Sequence, residues 1–429
     1  MAVDTSKALR QQVMYSVFVR NHTKSGTFYE LEKDLDRIKG LGVDIVWLMP
    51  IHPIGMVNRK GSMGSPYAIR DYRAVNPEYG TMEDFCHLVD EIHKRDMKCI
   101  IDVVYNHTSP DSVLAQEHPE WFYRKPDGSF GNKVGEWPDV IDLDYTNRDL
   151  WDYQIETLKQ WAAIVDGFRC DVAPLVPLGF WLKARQEVAQ VRSDCIWLSE
   201  SVEPVFTLDN RARGMVSLSD SEIFQAFDIS YEYDIYSWFT GYLLGKNTLA
   251  QYAQKINEQE YIYPDNYVKL RFLENHDNPR AHFLISDERA LRSWLAFIYF
   301  QKGMTLLYAG QEHGIPYLPG LFEKDTIRWN PNPDLTELMQ KLYSIKKNPL
   351  MKDSRYEVWA ARDDVLCARH RKGEKCLLGV FPLNGNSSLV EVPVAEGYYR
   401  DLISSEKITV LRGRISLSGA PVMIEYQER

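Results

Sequence analysis

Val165-Asp166-Gly167-Phe168-Arg169-Cys170-Asp171 is a short, mostly apolar run that ends abruptly on a carboxylate. Two later stretches repeat the pattern: Cys195-Ile196-Trp197-Leu198-Ser199 is closed by Glu200, and Phe272-Leu273-Glu274-Asn275-His276 by Asp277. Runs this short, bounded by polar residues, read as strands of a buried parallel sheet. Working outward gives eight candidates: Val13 to Phe18, Ile45 to Met49, Lys98 to Val104, Val165 to Arg169, Cys195 to Ser199, Ala226 to Ile229, Val268 to Leu273 and Thr305 to Tyr308. Longer amphipathic segments separate them, which is the mark of repeated βα units. Eight units in about 350 residues match an α/β (β/α)8 TIM barrel, with a doubly wound open sheet as the structural rival.

Two segments break that rhythm. Between Tyr105 and Thr146, Pro110, Pro119, Pro126, Gly128, Gly131, Gly135 and Pro138 interrupt any helical period and predict a short loop-rich insertion after the third strand. After Asn348 come short runs at Tyr356–Ala361, Val365–His370, Leu377–Pro382, Ser388–Val394, Lys407–Leu411 and Val422–Tyr426, the pattern of a C-terminal antiparallel β-sandwich. The expected units are therefore a barrel over 1–104 and 147–348, an insertion over 105–146 and a β domain over 349–429.

Composition limits the function. With 45% hydrophobic and 26% charged residues the chain can bury a large core, and 50 basic against 60 acidic residues give a net charge of −10. That balance offers no field for a phosphate backbone, so nucleic acid is excluded as a partner. The polar start, Met1 to Lys7, carries no signal-peptide pattern, and no apolar stretch is long enough to span a bilayer. Cys99, Cys170 and Cys195 sit inside apolar runs and read as reduced core thiols. A cytoplasmic location follows, and the glycosylation-like triplets at Asn21, Asn106 and Asn386 carry no meaning there.

Barrel chemistry sits at the C-terminal ends of the strands, where Asp171, Glu200 and Asp277 would converge on one cavity. A lone strand-end acid is usually a cap or an ion-pair partner, but three buried together need a compensating role. Arg169, two residues before Asp171, points to the same side of the strand and would hold that acid ionised, as a nucleophile requires. Glu200 follows an apolar strand containing Trp197; desolvation there would keep the proton that a general acid donates. Carboxylates in opposed environments are the equipment for glycosidic cleavage. Aromatic residues at 12% would suit stacking on sugar faces, although most rings fill cores.

At these residues the chain resembles glycoside hydrolase family 13, the α-amylase family. Asp102-Val103-Val104-Tyr105-Asn106-His107, Gly167-Phe168-Arg169-Cys170-Asp171, Trp197-Leu198-Ser199-Glu200 and Asn275-His276-Asp277 are similar to its third-, fourth-, fifth- and seventh-strand motifs, in order. The resemblance implies that Asp171 is the nucleophile, Glu200 the acid/base and Asp277 the acid that grips sugar hydroxyls in the transition state. It further implies that Tyr67 stacks on the sugar, that His107 and His276 hydrogen-bond it, and that Asp102 organises the site through Arg169.

The family's frequent calcium site would use Asn106 and Asp142, but Leu175 stands where a histidine usually contributes, so that site is expected to be weak or absent. Pro174 likewise replaces a lysine often found on the leaving-group side. No cofactor is required. The implied activity is retaining hydrolysis of α-1,4 bonds in maltodextrins or starch, with an oligo- or polysaccharide as the partner. A transglycosylase, a sugar phosphorylase or an α-1,6-glucosidase on the same scaffold is the alternative, and a non-catalytic carbohydrate-binding subunit a minor one.

Overall fold

The structure is a computed structural model that describes residues 4–135, 137–330 and 333–428. Of the expected units, residues 1–3, 136, 331–332 and 429 lie outside the described residues. Eight strands close into a parallel barrel in chain order: β1 (Val13–Val17), β2 (Ile45–Leu48), β3 (Lys98–Val103), β4 (Gly167–Cys170), β5 (Ile196–Ser199), β6 (Ile229–Tyr231), β7 (Val268–Arg271) and β8 (Met304–Tyr308). β8 returns to β1 through Val13 opposite Thr305. Nearly every strand residue is buried, because helices cover the outside while side chains fill the inside. The helix Met82–Lys94 is typical: Thr81 and Asp84 form a reciprocal capping box, and Phe85, Leu88, Val89 and Ile92 face inward at helical spacing.

Three strands start later than the sequence suggested, β5 by a single residue at Ile196. Ala226 and Phe227 complete a helical turn, both N–H groups donating to the Ile223 carbonyl, so β6 begins only at Ile229. Val165 ends the preceding helix in the same way on the Trp161 carbonyl, so β4 begins at Gly167. Register then sets the chemistry. Asp102 on β3 lies opposite Arg169 on β4, and Cys170 lies opposite Ser199 on β5, which puts Asp171 and Glu200 side by side just past the strand ends.

Between β3 and the helix Arg148–Ala162 the chain makes a loop-rich excursion, pinned by an antiparallel pair of two-residue strands, His107–Thr108 and Ile141–Asp142. Beyond the barrel, β9 (Arg355–Arg362), β10 (Val365–Lys372), β11 (Lys375–Pro382) and β16 (Val422–Gln427) form a four-stranded antiparallel sheet. Two ribbons cover it: β12 (Ser388–Glu391) with β15 (Arg414–Leu417), and β13 (Gly397–Arg400) with β14 (Lys407–Val410). The two-residue alternation of the sheet divides its side chains between two cores. Leu366, Ala368, Leu377 and Phe381 join the barrel core, whereas Val365, Cys367, Leu378 and Val380 pack on Val390, Val410 and Ile415 from the ribbons.

The sheet is fastened to the barrel at the end of the helix Glu288–Phe300. His370 on β10 meets the carbonyl of Phe300 through Nε2 at 2.8 Å, beside Lys346 of the helix Thr336–Lys346, which donates to the carbonyls of Tyr299 and Gln301. Because a carbonyl only accepts, Nε2 carries the proton and Nδ1 accepts from the Ser354 hydroxyl. Burial, reinforced by Lys346, Lys302 and Arg10, lowers His370 from 6.5 to about 3, while the Phe300 bond opposes the shift. A depressed folded value means that the unfolded chain binds the proton first, so stability present above pH 6.5 is lost as pH falls toward 3. His370→Gln is expected to remove about 1.4 kcal/mol per pH unit of that slope between pH 6 and 4, measured by urea unfolding. Parallel wild-type and variant curves would contradict it.

Candidate active site

One guanidinium organises the barrel mouth. Arg169 is wholly buried and donates through Nη1 to Asp102 Oδ1 at 2.8 Å and to Asp171 Oδ1 at 2.9 Å. Its Nη2 lies 2.8 Å from Glu200 Oε1 as an ion pair, without the alignment of a hydrogen bond. The rings of Trp47, Tyr67 and Tyr231 surround the guanidinium at 5.2 to 5.6 Å, so a cation and three acids share an aromatic box.

The other oxygen of Glu200 accepts the N–H of Val172 at 2.8 Å. Val172 follows Asp171 directly and has φ 35° and ψ 43°, a left-handed conformation that a β-branched residue adopts only under constraint. The strain turns its amide toward Glu200 while Asp171 stays on the β4 strand end, its own N–H donating to the Val103 carbonyl at 2.9 Å.

Burial raises the carboxyls of Asp102, Asp171 and Glu200 alike, and Arg169 lowers all three. The expectation that Arg169 alone keeps Asp171 charged is therefore incomplete, since one cation serves three acids. The hydrogen bonds break the tie. Arg169 hydrogen-bonds both aspartates, whereas its equally close ion pair with Glu200 lacks hydrogen-bond alignment, and the hydrogen bond Glu200 accepts comes from the Val172 amide. Neighbouring acids raise both groups, Asp102 and Asp277 acting on Asp171 and Asp171 and Asp277 on Glu200, so the hydrogen bond from Arg169 that Asp171 has and Glu200 lacks puts the proton of the cluster on Glu200.

Six residues singled out from sequence, Tyr67, His107, Asp171, Glu200, His276 and Asp277, line one cavity of about 280 Å³. Arg169 and Asp102 lie beneath it. His276 Nε2 sits 2.6 Å from the Tyr67 hydroxyl and 3.1 Å from Asp277 Oδ2, and Tyr67 reaches Asp102 Oδ2 at 3.2 Å. His107 Nε2 stands 3.9 Å from Asp171 Oδ2. Burial lowers both histidines, His276 to about 4, so they meet a ligand as neutral hydrogen-bonding rings. Asp277 keeps 44% of its side chain exposed against 9% for Asp171, which leaves it free to engage a ligand in the cavity.

Sequence reasoning passed over Val172, Trp137, Lys60, Asp139, Val140, Leu321 and Phe322, which also line the cavity. A second cavity of about 360 Å³ adjoins it beyond Glu200, flanked by Trp137, Phe206, Tyr233 and Asn278. A larger one, about 540 Å³, lies far along the chain between Asn348 and β16, but it gathers no comparable set of acids. Chemistry, not volume, selects the barrel mouth.

Asn106 and Asp142 do come together, yet both oxygens of Asp142 face protein donors. Asp142 Oδ2 accepts the Lys133 N–H at 2.7 Å, and Oδ1 lies 3.5 Å from Asn106 Nδ2. Arg213 claims the Lys133 carbonyl, and Leu175 offers no side-chain ligand. Calcium asks for six to eight oxygens, and these residues do not fit it.

Arg169 also governs stability. Removing it would leave three buried acids without their cation, and Arg169→Ala is expected to cost about 3–5 kcal/mol in denaturant unfolding at pH 7. A loss below about 1 kcal/mol would contradict the shared-cation arrangement.

A closed parallel barrel with paired acids at adjacent strand ends places the chain among barrel enzymes that build their site at the C-terminal ends of the strands. The profile described as "Alpha amylase, catalytic domain" matches residues 12–354, and "Bacterial Alpha amylase C-terminal domain" matches residues 357–424. The chain belongs to the alpha-amylase family.

Among solved structures, an alpha-amylase from Lactobacillus plantarum is 46% identical over 98% of this chain and 100% of its own, with a TM-score of 0.96. A noncanonic maltogenic alpha-amylase from Thermotoga neapolitana is 34% identical over 98% and 100%, with a TM-score of 0.87. An alpha-1,4-glucan:maltose-1-phosphate maltosyltransferase from Picrophilus torridus is 29% identical over 59% of this chain, but the match spans only 40% of that protein. Among the described residues no helix is long and apolar enough to cross a membrane.

Proposed function

We propose that this protein is a retaining hydrolase of α-1,4-glucosidic bonds in maltodextrins or starch. The observation that carries the reading is the single buried guanidinium touching both Asp171 and Glu200 at the wall of one cavity. That bridge keeps the two carboxyls close, which fits the spacing of about 5 to 5.5 Å used by retaining enzymes.

Asp171 attacks the anomeric carbon while Glu200 gives its proton to the departing glycosidic oxygen. The old C–O bond breaks as the bond to Asp171 forms. Water, losing a proton to the Glu200 carboxylate, then attacks the same carbon and frees Asp171. Asp277, His107 and His276 hold the sugar hydroxyls, Tyr67 supplies an apolar face, and Asp102 fixes Arg169. No cofactor enters. The unpaired state of all six cysteines supports a reducing, cytoplasmic setting.

The aromatic-flanked cavity beyond Glu200 favours a second reading, transfer of the glycosyl group to a sugar acceptor in place of water. Incubation with maltoheptaose, with and without phosphate, separates them. Shorter oligosaccharides and free reducing ends, indifferent to phosphate, are expected. Longer products would indicate transfer, sugar phosphates would indicate phosphorolysis, and an untouched substrate would refute α-1,4 action.

A further inference from the structure

The two cavities that meet at Glu200 have different far walls. The anomeric carbon attacked by Asp171 must lie in the first, and the leaving group protonated by Glu200 in the second. The non-reducing side of an α-1,4 chain therefore runs toward the far wall of the first cavity.

Three separate loops build that wall and are tied together. Lys60 from the loop after β2 forms an ion pair with Asp139 of the insertion at 2.8 Å, and the Asp139 side chain is only 3% exposed. The same loop is bound to the segment after β8: Met63 N–H donates to the Phe322 carbonyl at 2.9 Å, and Ser62 N–H to Glu323 Oε1 at 2.9 Å. Beneath them the buried Arg20 donates to the carbonyls of Met63, Gly64 and Leu321. Gly61 has φ 59°, and a side chain there would collide with Glu323 and Phe322. At its other end the loop is fixed by Asp111, which accepts the Met56 N–H at 3.0 Å. Ties at both ends and in the middle make a fixed wall rather than a moving lid.

We infer that the Lys60–Asp139 clasp and Phe322 end the donor side of the cleft, so that the enzyme works from the non-reducing end of an α-glucan and releases short pieces. This rests on the α-1,4-glucanase reading and goes beyond it by giving the mode of attack. A cavity of about 280 Å³ lies at the small end of ligand sites and holds roughly one or two glucosyl units.

The test compares maltoheptaose with the same sugar carrying a bulky acetal on its non-reducing terminal glucose, products being resolved by chromatography. The wild type is expected to cleave the free sugar more than about tenfold faster than the blocked one and to release one short product first. Equal cleavage of both, with a spread of products, would overturn the inference while leaving the α-1,4-glucanase reading intact. Cleavage of neither would overturn the reading and the inference together.

The double variant Lys60→Ala/Asp139→Ala removes both charges, leaving no buried ion unpaired. It is expected to gain activity on the blocked sugar and to lengthen the first product. An unchanged ratio in the folded variant would show that the clasp does not set the limit. Phe322→Ala tests the same wall should the double variant fail to fold.

Discussion

Asp171→Asn is expected to lower kcat on maltoheptaose by about 10⁴-fold or more, because it removes the group that forms the covalent bond. The amide retains nearly the same shape and can still accept a hydrogen bond from Arg169 Nη1, so folding is preserved and substrate still binds. One negative charge leaves a buried cluster in which one guanidinium faces three acids, so thermal stability should hold or rise. A variant that turned over within tenfold of the wild type would remove Asp171 from the chemistry.

Glu200→Gln carries the second large effect, a loss of about 10³-fold on maltoheptaose. Its signature is dependence on the leaving group. An α-maltosyl fluoride departs without a proton, so the first step should survive in the variant while the second, which needs the Glu200 carboxylate as base, slows. The wild-type pH profile of kcat/KM should be bell-shaped, with the acid limb from loss of charge on Asp171 and the basic limb from loss of the proton on Glu200. Both limbs belong to a coupled cluster, so each reports the group of acids as a whole. Glu200→Gln should abolish the basic limb. Its persistence, or an equal loss on maltosyl fluoride and maltoheptaose, would argue against Glu200 as the acid.

Much of this was legible in the sequence because a parallel barrel strand is buried on both faces and must stop where water begins. That is why Asp171 and Glu200, standing directly after apolar runs, gave away the mouth of the barrel. Neither limit of a strand was fully legible: Val165 and Ala226 are apolar whether they close a helix or open a strand, and the apolar Phe272 and Leu273 continue past the end of β7. Strands β13 and β15 escaped notice because half-exposed ribbons such as Gly397–Arg400 mix polar and apolar residues.

The left-handed backbone of Val172 has no signal in a residue type that normally avoids it. Lys60 comes from a loop distant in sequence from Trp137 and Asp139, and only the folded loops bring Lys60 within 2.8 Å of Asp139. Asn106 and Asp142 meet as the family resemblance implied, but the engagement of Asp142 with Lys133 and with Asn106 could be read only from the fold.

The central claim is that Asp171 becomes covalently glycosylated. Its most direct test is to mix Glu200→Gln with α-maltosyl fluoride, quench, digest and examine the peptides by mass spectrometry. The arrangement around Arg169 predicts a maltosyl adduct on Asp171 that accumulates because its hydrolysis lacks a base. No adduct under continuing fluoride release, or an adduct on another carboxylate, would contradict it.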